Sequence, residues 1–178
     1  DGRDNVSIGQ LAKEGKDVPV YCLDKNGNVA VEMMRNPRVT GRKKKVYKMT
    51  LEDGLTIRAT DNHKFRLKNG QYRELKDLKV GDSLMILSKF QAPIVREKGK
   101  TKNDYWWMNA GKFQGNKSEH RLIAEYFYNT ILRKGQVVHH KDRDSLNNAP
   151  ANLEIMSAKA HNDLHSKEML GKKNPMYK

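Results

Sequence analysis

Three short turns, Asn26-Gly27, Asp53-Gly54 and Asn69-Gly70, constrain what this chain can fold into more than any other feature. Gly, Asn and Asp tolerate the positive φ that a tight hairpin needs, so each pair forces a reversal of the backbone. Each turn is flanked by short strand-like runs. The spacing predicts hairpins joining Val18–Leu23 to Val29–Met33, Lys45–Leu51 to Leu55–Ala59, and Phe65–Leu67 to Gln71–Arg73. A short helix, Glu74–Leu78, and an apolar strand, Ser83–Leu87, follow. Many short strands with frequent turns make residues 1–88 an all-β, compact, curled domain.

Beyond this region the character changes. Residues 89–104 include Arg96-Glu97-Lys98-Gly99-Lys100-Thr101-Lys102, polar and basic without periodicity, and read as a linker. The formal net charge is +14, with a basic excess in both halves. Such an excess suits a polyanionic partner, because Lys and Arg displace counterions condensed on phosphates. Arg42-Lys43-Lys44-Lys45 is the expected DNA-binding patch; the alternative is a solvated hairpin tip. The single cysteine, Cys22, excludes an internal disulfide and a Cys-rich zinc site, and its apolar neighbours predict a buried thiol. No stretch reaches the length of a membrane span and no signal peptide is visible, which predicts a cytoplasmic protein without a membrane partner; a phage or bacterial gene is the expected source.

Residues 105–168 read as a second ordered domain. Leu122, Ile123, Tyr126 and Phe127 recur at helical spacing, with Ser118 as a cap. Trp106 and Trp107 are expected in the core rather than stacked on bases. The chemistry lies in Gln136–His165, where four of the six histidines fall. Val137-Val138 leads into His139-His140. A loop rich in Asp and Asn follows, then the strand-like Asn152–Met156. Ser157 then caps a helix carrying His161 and His165. Residues four apart share a helix face, whereas neighbours on a strand point to opposite sides. One of His139 and His140 can therefore join His161 at a metal while the other faces a water. Phosphodiester hydrolysis needs such a base and such a cation. A closed zinc finger lacks its Cys pair. An EF-hand starting at Asp142 fails, because Leu146, Asn147 and Leu153 stand where a calcium ligand, the turn Gly and the bidentate Glu belong.

This segment resembles HNH homing endonucleases of the ββα-metal superfamily. The resemblance rests on His139-His140, Asn147-Asn148 with Asn152-Leu153, and His161 nine residues after Asn152, with His120–Phe127 resembling the preceding helix. It implies that His140 is the general base, that Asn152 braces the loop and the base, and that His139 and His161 bind metal. His165 is expected to contact phosphate or serve as a further ligand. The resemblance also implies Mg²⁺ as the working ion. His139 stands where many relatives have Asp, which makes the site softer and opens it to Mn²⁺ or another transition ion. Gly171–Tyr177, with Lys172 and Lys173, resembles the opening of a nuclease-associated DNA-binding repeat spanning residues 169–178.

Residues 18–87 resemble the Hint domain of inteins, especially the amino-terminal half of split inteins. The matching stretches are VYCLDKNGNV, LEDGLTIRATDNHKF and LKNGQYRELKDLKVGDSL. Thr60-Asp61-Asn62-His63 matches the Thr-x-x-His motif, which implies that Thr60 and His63 polarise a peptide bond in splicing-competent members. Asp1 opens the chain where a nucleophilic Cys or Ser is required, and no closing His-Asn is present, so the expectation is that this chain does not splice by itself. A complementary carboxy-terminal intein fragment is an expected partner, with double-stranded DNA as the substrate. The expectation is thus an α+β protein: an all-β Hint-like domain (1–88), a basic linker (89–104), an HNH nuclease domain (105–168) and a tail (169–178). The alternatives are a splicing element with a degenerate nuclease portion, or a DNA-binding regulator that does not cut.

Overall fold

The structure, a computed structural model, describes residue 3 and residues 5–96, 100–109 and 116–169. The first element among the described residues is a helix rather than a strand. Helix α1 (Ile8–Glu14) starts at Ser7, whose Oγ accepts from the Gln10 amide at 3.1 Å, and ends at Gly15 in the left-handed region. Residues 1–88 are therefore not all-β. Seven residues are too short for hydrophobic periodicity to show, and only the Ser7 and Gly15 caps mark the helix in the sequence.

The three expected hairpins are present. Strand β1 (Val18–Leu23) pairs antiparallel with β2 (Val29–Met34), from Val18 opposite Met34 to Leu23 opposite Val29. Their turn is tied by Asp24, whose Oδ1 accepts from the Asn26 and Asn28 amides, both at 2.8 Å. Gly27 takes φ +83° there. Strand β3 (Val46–Thr50) pairs with β4 (Thr56–Thr60), and β5 (Lys64–Arg66) with β6 (Tyr72–Glu74). A 3₁₀ turn, Leu75–Asp77, stands where a short helix is expected. The Ser83–Leu87 strand is reduced to a single bridge between Leu67 and Leu84. These hairpins form separate two-stranded sheets rather than one curled sheet.

The expected linker is instead mostly strand. Strand β7 (Ser88–Arg96) pairs antiparallel with β8 (Lys100–Asn109), which also pairs with β9 (Asn116–Ser118). The basic residues conceal a hairpin, because backbone pairing between adjacent strands does not require an apolar face along their whole length.

Helix α2 (Glu119–Phe127) begins at Ser118, which caps by backbone only, and buries Glu119, His120, Leu122 and Ala124. Leu122, Met108 of β8 and Val29 of β2, each 3% exposed, form the principal cluster, with Tyr21, Leu23, Val31 and Leu87 packed around it. The core therefore joins the first hairpin to the region of the histidines across residue 88. Each such buried aliphatic side chain stabilises the fold by roughly 1.5–3 kcal/mol. Trp106 and Trp107 are half-buried; the Trp107 indole N–H donates to the Ala92 carbonyl at 3.1 Å, and Lys89 Nζ lies 4.6 Å from the Trp106 ring centroid. Cys22 is half-buried.

The last unit is strand, loop, strand, helix. Strand β10 (Gln136–His140) pairs antiparallel with β11 (Leu153–Ser157), and α3 (Ala158–Met169) follows at once. Ser157 Oγ accepts from the Ala160 amide at 3.0 Å, the cap expected there. Leu153 is fully buried opposite His140. Among the described residues no helix is long and apolar enough to cross a membrane.

Candidate metal centre and active site

The end of β10 sets two adjacent histidines against different surroundings. His139 and His140 are both buried, at 8% and 7% exposure, and their rings face different neighbours. His139 meets α3. Its ring centroid lies 5.3 Å from that of His161 and 5.5 Å from that of His165. One ring nitrogen from each of the three residues lies within 4.8 Å of the others. His161 and His165 sit one turn apart on α3, with their Nε2 atoms 3.2 Å apart. Three imidazoles converging in this way can offer a nitrogen donor set to a divalent cation, and nitrogen donors favour transition ions over Mg²⁺.

His140 faces the other way. Its ring lies 5.2 Å from His120 and 6.2 Å from Tyr105, centroid to centroid. Its Nε2 is 3.0 Å from Asn148 Oδ1. Asn148 Nδ2 donates to Glu119 Oε2 at 2.7 Å. Glu119 is 2% exposed, and its Oε1 accepts from the Tyr21 hydroxyl at 2.6 Å and pairs with Lys89 Nζ at 2.8 Å. Burial, with help from His140 and Arg121, pushes the His120 imidazole down to about 3, so that ring stays neutral. Its Nδ1 is buried without a hydrogen bond.

Asn152 holds the intervening loop closed. Its Nδ2 donates to Asp142 Oδ1 and to the Asn147 carbonyl, both at 2.8 Å, and its Oδ1 accepts from the Asp142 amide at 3.0 Å. The Asp142 carboxyl is held below its usual value, first by the Asp144 amide and then by the side-chain amides of Asn152 and Asn147. Arg143 adopts φ +67° at the tip, and Ser145 Oγ ties the loop to the Asp104 carbonyl at 2.8 Å.

The structure thus brings His139, His161 and His165 together and sets His140 beside them in sequence but apart in contact. Asn152 braces the loop, while the direct partner of the His140 ring is Asn148. Asn148, Glu119 and His120 belong to this site although their sequence context assigns them no role in it. The Asn147-Asn148 pair is a visible signal, but nothing local marks Glu119, which is 29 residues from Asn148. Thr60 and His63 make local contacts: the Thr60 hydroxyl donates to Asn62 Oδ1 at 2.8 Å, and His63 packs edge-on against Phe65. Arg42, Lys43, Lys44 and Lys45 are exposed. Lys172 and Lys173, with the tail 169–178 beyond Met169, lie outside the described residues.

Residues 117–163 match the HNH endonuclease family. The matched stretch holds α2, β10, the Asn-rich loop, β11 and the start of α3, with His139, His140, Asn152 and His161 inside it and His165 just beyond. HNH nucleases are generally dependent on divalent metals, in keeping with the three-imidazole cluster. Over 176 residues the chain is also 34% identical to DNA gyrase B of Synechocystis sp.. That similarity takes in 95% of this chain but only 16% of the relative, so the chain spans about a sixth of the protein it matches.

Proposed function

We propose that this chain is a metal-dependent, sequence-specific DNA endonuclease of the homing type, carried with an intein-like β-region. The observation that carries the nuclease reading is the split at the end of β10. His139, His161 and His165 converge on one side, and the imidazole of His140 lies on the other. In this reading His140 takes a proton from the attacking water, and Asn152 keeps the loop in the shape that presents it. His139 and His161 hold a divalent cation, with His165 as a third ligand. When bound, the cation supplies positive charge to the phosphate and its leaving oxygen. Water attack with loss of the 3′ oxygen leaves 5′-phosphate ends. Mg²⁺ is the working ion in this reading, while the all-nitrogen donor set predicts tighter binding of Mn²⁺ or another transition ion. The surplus of Lys and Arg supports double-stranded DNA as substrate, with Arg42–Lys45 in contact with phosphates.

The intein part of the reading draws support from the relative. Nearly the whole chain corresponds to a limited segment of a much longer protein named for a different activity, as expected of an intervening sequence within a host. A second reading, a splicing element whose nuclease portion is inert, shares that support. The two separate in a plasmid assay. Native protein with Mn²⁺ or Mg²⁺ is expected to convert supercoiled plasmid bearing the target site to nicked or linear form. His140→Ala is expected to slow this by roughly 10²–10⁴-fold, the usual contribution of a general base. Equal cutting by both proteins rules out His140 as the base, and no metal-dependent cutting by native protein favours the splicing element.

A further inference from the structure

Resting on the nuclease reading above, we propose that Glu119 and Asn148 are positioning residues that choose which ring nitrogen of His140 is free to accept a proton. The argument is one of donors and acceptors. Glu119 Oε1 is committed to two donors, the Tyr21 hydroxyl and Lys89 Nζ. Its Oε2 faces Asn148 at 2.7 Å. A carboxylate only accepts, so the Asn148 amide must turn its Nδ2 toward Glu119. Its Oδ1 is then left facing His140 Nε2 at 3.0 Å. An amide oxygen also only accepts, so His140 Nε2 must carry the hydrogen. In a neutral imidazole the other nitrogen, Nδ1, then holds the lone pair. One buried carboxylate thereby fixes the tautomer of the proposed base through two hydrogen bonds. The hydrogen bonds of Asn152 go to the loop, so Asn152 cannot perform this task.

Glu119→Gln reverses the chain of hydrogen bonds almost without changing its shape. Tyr21 and Lys89 still demand an oxygen, so the new amide nitrogen faces Asn148. The Asn148 amide flips to offer its oxygen, its nitrogen then faces His140 Nε2, and the ring hydrogen moves to Nδ1. Adding Asn148→Asp undoes this, because a carboxylate at position 148 accepts both from the amide introduced at position 119 and from His140 Nε2. Single-turnover plasmid cutting is expected to fall about 10²–10⁴-fold in Glu119→Gln, the scale of a base held in the wrong tautomer, with DNA affinity unchanged. The double variant is expected to return to within about tenfold of native, the remainder reflecting the charge moved next to the ring.

Long-range ¹H–¹⁵N spectra in alkaline buffer, with His140 assigned by its alanine variant, read the tautomer directly. They are expected to show Nε2–H in native protein and in the double variant, and Nδ1–H in Glu119→Gln. Native-like cutting by Glu119→Gln overturns the proposal, as does failure of the folded double variant to recover. Nδ1–H in the native ring overturns it whether or not any variant folds. Native protein that never cuts DNA defeats the nuclease reading, while the native ring spectrum still decides the question of the relay.

Discussion

The His139–His165 unit and the β3–β4 hairpin are each built around two antiparallel strands, yet they use their side chains in opposite ways. In the first, α2 and α3 both pack on the strands, Leu153 is fully buried, and polar groups of the loop bond one another. In the second, Val46 is 57% exposed, Tyr47 42% and Leu55 61%, and the backbone ladder supplies most of the order. Tyr72 at 64% and Val80 on the neighbouring segment are similarly open. A pair of strands by itself is only marginally stable in water. The contrast shows where the order of the chain is concentrated: in the elements that aim four histidines, with the first hairpin recruited to the same core through Val29 and Tyr21.

The largest stability effect expected from this contrast is at Leu153. It is buried on β11, a strand in contact with α2, its backbone faces His140, and its carbonyl accepts from the Tyr128 hydroxyl at 2.8 Å. Leu153→Ala removes the most deeply buried large side chain of this unit, so unfolding by urea should show a loss of about 3–5 kcal/mol. A loss below about 1 kcal/mol, small for a buried Leu, would mean that the packing around the histidines is as loose as that of β3–β4.

His120 gives the next effect, and it depends on pH. Its folded value of about 3 lies below the ordinary 6.5. Between these two values the unfolded chain binds a proton that the native ring refuses, so stability rises with pH across that window and is fully present above about 6.5. Acidification from 6.5 toward 3 should therefore cost up to about 1.4 kcal/mol per pH unit from this residue, and His120→Asn should remove that slope. Denaturation midpoints of the two proteins at several pH values would measure it. Parallel slopes would show that the ring is not shut away from protons as its burial indicates.

The same contrast governs what can be read from sequence. The hairpins are legible because Asn-Gly and Asp-Gly turns are local instructions, satisfied by two or three residues regardless of what surrounds them. Helix α3 and the pairing of His161 with His165 are legible for a similar reason, a spacing of four on a capped helix. Strands β7 and β8 are hidden, because their order comes from pairing along the ladder while a basic run between them imitates a tether. Asn148 and Glu119 are hidden more deeply. Their roles depend on a donor and an acceptor meeting across 29 residues, and no periodicity encodes that. Asn152, by contrast, works within its own loop, and its motif is enough to find it.

The smallest expected effect lies on the open hairpin and tests the contrast from its other side. Val46→Thr and Leu55→Ser replace apolar groups that are already more than half exposed, on or beside strands whose pairing uses backbone atoms alone. Surface changes of this kind stay within about 0.5 kcal/mol, so the midpoint of unfolding should barely move and plasmid cutting should not change. If the complementary fragment that the intein resemblance implies as a partner covers this face, the same substitutions should weaken that association while leaving the isolated chain untouched. A loss above about 1 kcal/mol in the isolated chain would show that something within it already covers β3–β4, and the division between a packed histidine unit and an open hairpin would fail.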